Sequence, residues 1–188
     1  MPRKSRRLLG ETVCHHMVQG INKEEIFKTE DNKEKYIELL KKYYKEFKID
    51  IIAYCIMDNH VHMLLYANDI KQISNFMKNI NSIYAMYYNK KTDRVGYVFR
   101  NRFKSVPIMD RKQLYTCIKY IHMNPVKAGK VKEESDYRYS SYNDYLNKTG
   151  FIHEEILKFI FNSSNNYIEK FQSIEYENSK EEVNLKKA

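Results

Sequence analysis

The sequence contains no tryptophan and is poor in residues that break regular structure, with five glycines and three prolines in 188 residues. It has no Walker-type glycine-rich loop, so we expect no nucleotide cofactor. It has no run of about 18 apolar residues, so we expect no membrane span. The basic residues 1–7 are not followed by the apolar core of a signal peptide, which favours a cytoplasmic location.

Cysteine is also scarce. The three cysteines, Cys14, Cys55 and Cys117, are odd in number and far apart in the sequence. This pattern predicts neither a disulfide framework nor a zinc site, and it suits a reducing compartment. Free cysteine behaves as a small apolar side chain, so we expect all three thiols to be buried.

Positive charge, in contrast, is in excess. The formal net charge is +9, and residues 90–132 hold twelve Lys and Arg against two Asp, which leaves 21 basic and 22 acidic residues elsewhere. An excess confined to one continuous region indicates a surface for a polyanion. The alternatives are a solvated basic face that serves solubility and a composition that reflects biased codon usage.

Hydrophobic periodicity predicts an α+β fold in a chain whose apolar content of 43% supports a real core. The order is strand, helix, strand, strand, helix, strand, helix. This is the split βαβ or ferredoxin-like pattern, an antiparallel sheet with helices packed on one face. The predicted strands are 12–20, 49–57, 60–67 and 106–108, the last within an extended segment 96–109, and the predicted helices are 29–47, 70–89 and 110–124.

The sequence pattern predicts two parts, a folded domain and a C-terminal extension. Residues 1–146 are predicted to form the folded domain, and residues 147–188 a helical extension that ends in a frayed polar tail. Within the extension, residues 151–161 are predicted to form an amphipathic helix with three apolar side chains on one face. These side chains are Ile152, Ile156 and Phe159.

Two short segments carry residues suited to phosphate chemistry. The His-Val-His run at 60–62 lies in a predicted strand, where residues two apart share a face, so two imidazoles project side by side. Tyr120 and Asn124 share a face of the third predicted helix, which Pro125 is expected to end. Two imidazoles, an amide oxygen and a phenol can together hold a divalent metal and direct a nucleophile at a phosphate. The combination indicates a site that cuts nucleic acid through a covalent tyrosine.

Each of these residues also has a plainer interpretation. A His-x-His pair on a strand is, by itself, more often structural. Tyr115 lies five residues before Tyr120, so it faces elsewhere and is expected to pack or to touch DNA. His122 is expected to point away from the metal face, toward the surface or the DNA. His15 either supports the metal site or belongs to the core.

Four motifs follow one another in a fixed order along residues 1–145. They are YCIMDNHVH (54–62), FRNRFKS (99–105), YIHMNPVKAG (120–129) and RYSSY (138–142). Together they resemble the single-tyrosine HUH transposases of the IS200-like superfamily, and more closely the REP-associated tyrosine transposases. One departure is the presence of Tyr137 and Tyr139 where relatives often have a tryptophan. The resemblance implies an HUH nuclease fold of ferredoxin-like type and metal-dependent, site-specific cleavage and rejoining of single-stranded DNA through a 5′-phosphotyrosine.

The resemblance also assigns roles to four residues. His60 and His62 correspond to the metal-binding histidines, Tyr120 to the nucleophile and Asn124 to the third metal ligand. A mixed nitrogen and oxygen ligand set suits Mg²⁺ or Mn²⁺, although histidine also admits Zn²⁺. The implied substrate is single-stranded DNA with hairpin ends, and the family includes both homodimers and monomers.

Five basic residues are candidate DNA contacts. Arg100, Arg102 and Lys104 alternate along a predicted extended segment, so they share a face on which they can follow phosphates. Lys119 and Lys127 belong to the same basic region, on or just beyond the predicted helix of Tyr120.

Two other functions compete with this interpretation. Ferredoxin-like sheets also serve as RNA readers, so the chain can be a catalytically idle nucleic-acid-binding domain. Its strands lack the Arg/Lys-Gly-Phe-type signature of those readers, and all four site residues are present. A zinc hydrolase unrelated to DNA needs a carboxylate base beside the histidines, and the nearest candidate is Asp58 on the turn that precedes them.

Overall fold

The computed structural model describes residues 10–147 and, beyond them, positions 150, 152, 157, 158, 160, 161, 169, 171 and 173. The elements of the described part are four strands, four α-helices and two short 3-10 helices, at Ile21–Lys23 and Glu134–Asp136. The strands are β1 (Gly10–Gln19), β2 (Asp50–Ile56), β3 (His60–Tyr66) and β4 (Lys104–Ile108). The helices are α1 (Glu30–Tyr43), α2 (Ile70–Lys91), α3 (Arg111–Lys127) and α4 (Tyr142–Asn147).

The strands form one open antiparallel sheet in the order β2-β3-β1-β4. Helix α1 connects β1 to β2, which run in the same direction with β3 between them, and α2 connects β3 to β4 in the same way. This is the split βαβ arrangement, so the predicted ferredoxin-like fold is confirmed.

The three long helices begin at side chains that satisfy their first backbone N–H groups. Thr29 accepts from the backbone of Asn32 at the start of α1, and Asp69 forms a capping box with Gln72 at the start of α2. Asp110 accepts from the backbone N–H of the third residue of α3. These caps agree with the helix starts predicted from the sequence at Thr29 and Asp110.

Helices cover both faces of the sheet, whereas the sequence pattern predicted that all of them pack on one face. Val61 and Met63 point to one face of β3 and His62 and Leu64 to the other, and all four are buried. Helix α3 lies against the face of His62. Helices α1 and α2 pack on each other and cover the opposite face, because both crossover connections of this order share one hand.

Helix α3 continues past its predicted end at Asn124 and runs through Pro125 to Lys127. Proline cannot donate the backbone hydrogen bond that the carbonyl of Ile121 would otherwise receive. The Asn124 side chain compensates, since its Nδ2 donates to the carbonyl of Tyr120 at 2.7 Å and lies 3.4 Å from that of Ile121. The expectation that Pro125 ends the helix was therefore wrong.

The predicted extended segment 96–109 is regular only in its second half. Strand β4 begins at Lys104, and residues 100–102 form bends. Before the bends, Phe99 forms an isolated bridge with Gly20, and the backbone N–H of Arg100 donates to the carbonyl of Gln19 at 2.9 Å. The segment is thus fixed to the end of β1 without belonging to the sheet.

His122 is buried, which contradicts the expectation that it faces the surface or the DNA. Its Nε2 lies 2.8 Å from Oγ of Ser141, and burial, with a smaller effect of Lys119, lowers its pKa to about 3. Ser141 in turn donates its backbone N–H to the carbonyl of Tyr54 on edge strand β2. The serine therefore ties α3 to the edge of the sheet.

The apolar side chains among the described positions of the C-terminal extension belong to the same core. Ile160 and Phe161 are buried, and Tyr115 stacks on Phe161 with ring centroids 5.5 Å apart. The Tyr115 hydroxyl and the Arg111 guanidinium both donate to the carbonyl of Ile160 at 2.9 Å. Tyr115 thus packs, as expected. Of the predicted helical face at 151–161, Ile152 is buried, whereas the other two residues and the predicted frayed tail lie outside the described residues.

The three cysteines are free and buried, as predicted. Across the described residues, no helix has the length and apolar character needed to cross a membrane.

His16 makes the stability of the fold sensitive to acid. Burial, with a contribution from His15, lowers the pKa of His16 to about 3, and neither ring nitrogen has a hydrogen-bond partner among the described residues. The unfolded chain accepts a proton below about pH 6.5 that the folded protein resists, so stability falls as the pH drops from there toward 3. Near pH 5 this costs about 2 kcal/mol.

Urea unfolding near pH 7 and near pH 5 tests this prediction. The His16→Leu variant should lose about 2 kcal/mol less free energy of unfolding between the two pH values than the wild type does. Equal losses in the two proteins would show that His16 does not resist protonation.

Candidate active site

Three histidines form a cluster on one face of the sheet. His60 and His62 project from the same face of β3, with ring centroids 4.8 Å apart. Strand β1 pairs beside β3 and brings His15 to the same face, where its Nε2 lies 3.0 Å from Nδ1 of His62. The predicted side-by-side placement of the two metal-ligand candidates is therefore present, and His15 joins it as a direct neighbour.

The hydrogen bonds of the cluster leave one nitrogen of each candidate ligand available. Nδ1 of His60 lies 2.5 Å from the side-chain oxygen of Asn59, which only accepts, so Nδ1 carries the proton. Nδ1 of His62 is occupied by His15. In both rings Nε2 is then the nitrogen that can bind a metal, and the partner at Nδ1 fixes the ring orientation.

Burial keeps the cluster uncharged. It lowers the pKa of His60 to about 4, although Asp58 acts in the opposite direction. The pKa of His62 lies well below its ordinary value, first because of burial and then because of His15 and His60. Burial alone lowers the pKa of His15 to about 4. A metal requires the neutral imidazole, so near neutral pH these side chains are in the form that binds one.

Helix α3 places Tyr120 against this cluster. The Tyr120 ring meets His62 edge to face at 5.3 Å and His15 at 6.0 Å between centroids. Only 5% of the residue is exposed, so a substrate can reach it from one side only. Nζ of Lys127, two turns further along the same face of α3, lies 5.8 Å from the centre of the Tyr120 ring.

The residues present fit a divalent metal with mixed ligands. No group of three His, Cys, Asp or Glu residues with metal-binding geometry exists in the part of the chain that the structure describes, so a third protein ligand would have to be of another type. Asn124 lies one helical turn after Tyr120, and its Nδ2 is held by the helix backbone. Its amide oxygen is then the end that can turn to a metal. His60, His62 and this oxygen form a set that suits Mg²⁺ or Mn²⁺.

Asp58 is committed to two ion pairs, which removes the reason to expect a hydrolase with this residue as its base. Lys33 of α1 contacts one carboxylate oxygen at 2.8 Å, and Lys130, just after α3, contacts the other. Although partial burial opposes ionisation, the hydrogen bonds from Lys130 and Lys33 keep the pKa of Asp58 below its ordinary value. The carboxylate thus joins the turn before His60 to both neighbouring elements.

The candidate DNA contacts fall into two groups. Arg100, Arg102, Lys104 and Lys127 are exposed. Lys119 instead pairs with Glu134 at 3.0 Å, and each side chain is only 16% exposed. The sequence offers no sign of this partner fifteen residues away, so a DNA contact by Lys119 would require the ion pair to open.

Comparisons with known proteins agree with the fold and with the family resemblance. Residues 11–124, which include all four predicted catalytic and metal-binding residues, match the model of a family described as transposase, IS200 like. The chain is 28% identical over 122 residues to a Haemophilus influenzae protein provisionally named a REP-associated tyrosine transposase, covering 57% of this chain and 69% of that protein. A solved structure described as a REP-associated tyrosine transposase bound to a REP hairpin superposes with a TM-score of 0.59 at 16% identity, covering 77% of this chain and 86% of that one. At that identity the superposition supports the fold.

His15 provides a test of the metal site that leaves the proposed ligands in place. His15→Leu removes the partner of His62 Nδ1, so we expect Mn²⁺ affinity, measured by calorimetric titration, to fall about 10- to 100-fold. His16→Leu is the matched control, because the neighbouring side chain points to the opposite face of β1. Equal Mn²⁺ affinity in the His15 variant and the wild type would contradict the assignment.

Proposed function

The chain belongs to the IS200-like transposase family, and on that premise we propose that it cleaves and rejoins single-stranded DNA through a 5′-phosphotyrosine on Tyr120. The observation that carries this proposal is the contact between the Tyr120 ring and His62, beside His60 and His15. Tyr120 comes from α3 and the histidines from β1 and β3, yet the Tyr120 ring contacts both His62 and His15.

The chemistry follows from the residues in this arrangement. The Tyr120 oxygen loses its proton to water and forms a bond to phosphorus, while the bond to the 3′ oxygen breaks and that oxygen leaves as a hydroxyl after it takes a proton from water. A divalent cation held by His60, His62 and Asn124 would withdraw charge from the phosphate and orient it in line. The phosphotyrosine retains the energy of the phosphodiester, so a 3′-hydroxyl can reverse the reaction without a nucleotide cofactor.

We further propose that the substrate is single-stranded DNA with hairpin ends. The solved structure with the same fold is described as bound to a REP hairpin, and the exposed cations Arg100, Arg102, Lys104 and Lys127 suit a phosphate backbone. Lys127 lies nearest to Tyr120, so we propose that it contacts the phosphate that the tyrosine attacks. A homodimer stays a prediction from the resemblance.

The second candidate function is a nucleic-acid-binding domain without catalysis. The position of Tyr120 favours it in one respect, since a residue that is only 5% exposed also serves as core. The two functions differ in a single observable, the covalent adduct between protein and DNA.

Tyr120→Phe removes one oxygen, keeps the ring, and should abolish both cleavage and the adduct with Mn²⁺ present, as should chelation of the metal. Binding of the same oligonucleotide should survive, because no charge is lost. Denaturing gels of protein incubated with labelled single-stranded DNA measure the adduct. Tyr115→Phe is the control and should still form it, since the Tyr115 hydroxyl is engaged by the carbonyl of Ile160. An adduct that persists in Tyr120→Phe would refute the assignment.

Replacing Arg100, Arg102 and Lys104 together with Gln should weaken binding and flatten its salt dependence. Each lost contact to a single strand lowers the slope of log K against log salt by about 0.7, so three contacts account for about 2. Fluorescence anisotropy at several salt concentrations measures the slope.

The control removes the same charge from the other end of the sheet. Lys42, Lys45 and Lys48 are exposed and precede β2, whereas the proposed site follows that strand. Their replacement with Gln should leave the slope close to that of the wild type. The same decrease in both triple variants would mean that net charge, not this segment, binds the DNA.

A further inference from the structure

A groove of about 760 Å³ lies between helix α2 and the segment 96–103, a segment defined by its bends before β4. This volume falls within the range of about 300–1,000 Å³ of small-ligand sites. None of the four residues assigned above to catalysis or metal binding lines it. The groove is therefore distinct from the proposed catalytic site.

Aromatic rings are fixed at the base of the groove. Phe99 and Phe103 line it and are half-buried. Phe99 packs against Tyr84 of α2 at 6.0 Å, and Phe103 packs against His16 of β1 at 5.2 Å, so each ring is held by the core. Tyr97, also in the lining, is 84% exposed, which leaves its ring available to a flat partner.

Polar groups without protein partners surround these rings. The groove is lined by Lys78, Arg100 and Arg102, and none of its described lining residues is acidic. Asn75, which can both donate and accept, also lines it. The side chains of Asn75, Lys78 and Arg100 have no hydrogen bond or ion pair with any residue that the structure describes. A nucleotide strand is recognised by this combination of groups: rings that stack on its bases, an amide that pairs with a base edge, and cations that no acidic side chain neutralises.

The groove is close enough to the proposed active site to share one DNA strand. The backbone of Arg100 is hydrogen-bonded to Gln19 at the end of β1, and Gln19 pairs with His60 of β3. Two strand spacings of about 4.8 Å each separate Arg100 from His60, or roughly 10 Å between their backbones. A strand bound at Tyr120 can therefore continue over the edge of the sheet into the groove.

We propose that this groove binds unpaired bases of the DNA strand next to the cleaved phosphodiester, with Tyr97 as the stacking surface and Asn75 as the group that pairs with a base edge. This site deepens the proposed function, on which it rests for its substrate. It supplies contacts to bases, which the phosphate contacts of Arg100, Arg102 and Lys104 do not.

The test separates the contribution of the bases to binding from that of the backbone charge. It does so with two oligonucleotides of equal length. Two single-stranded oligonucleotides are used, one with normal bases beside the cleavage position and one with abasic residues there. The wild type should bind the first at least about fivefold more tightly. Tyr97→Ala and Asn75→Leu should lose this difference while binding the abasic strand as the wild type does. Met86→Ala is the matched control, since Met86 is an exposed residue of α2 outside the lining.

A direct signal is available because the chain has no tryptophan. In Tyr97→Trp, the normal oligonucleotide should quench the single indole, and the abasic one should not. Equal affinity of the wild type for both oligonucleotides, or equal quenching by both, would overturn the proposal and leave the groove as a purely electrostatic surface.

Every protein in these binding measurements also carries Tyr120→Phe, including the reference protein called wild type in them, so no cleavage is needed. A wild type that forms no adduct would refute the proposed function, and the base preference of the groove would still decide this inference separately.

Discussion

The register between β1 and β3 is the constraint on which the site depends. Met17 pairs with His62, and His15 pairs with Leu64, so the two histidines are diagonal neighbours on one face. Side chains along a strand alternate between faces, and a slip of one residue would move His62 away from Tyr120. The apolar residues that alternate with the histidines on β3 are buried on the other face and oppose such a slip. The same hydrophobic pattern that folds the sheet therefore aligns the imidazoles.

Helix α3, which carries Tyr120, is anchored by residues that follow it in the chain. The carbonyl of Ile160 accepts from Arg111 and Tyr115 near the start of the helix, and Ser141 engages His122 near its end. Both anchors come from chain that follows α3, so the RYSSY motif (138–142) and the C-terminal extension hold the helix against the sheet. Tyr120 on a helix fixed at two places has little freedom, which in-line attack on a phosphate by this residue would require.

Sequence periodicity is sufficient for the parts of this architecture that depend on local geometry. The period of two places His60 and His62 together, and the helical period places Tyr120 and Asn124 together, because both follow from backbone geometry alone. It fails for Pro125 and His122, whose surroundings are set by hydrogen bonds to side chains and by distant segments. A proline tolerated because the preceding asparagine serves the helix carbonyls is not visible in any propensity.

The same limit applies to charge. Residues 90–132 carry a large positive excess in sequence, yet Lys119 and Lys130 are paired with Glu134 and Asp58, which lie outside that range. A count of charged residues along the chain therefore overstates the positive charge available to a ligand. It also does not show where on the surface that charge lies. Pairing removes cations beside the β2–β3 turn and behind α3, whereas the exposed Arg100 and its neighbours stay at the β4 edge. Salt screens electrostatic potential beyond about 10 Å, so only cations close to one another reinforce each other's potential. The exposed cations at the β4 edge therefore attract a polyanion more strongly than the surface behind α3 does.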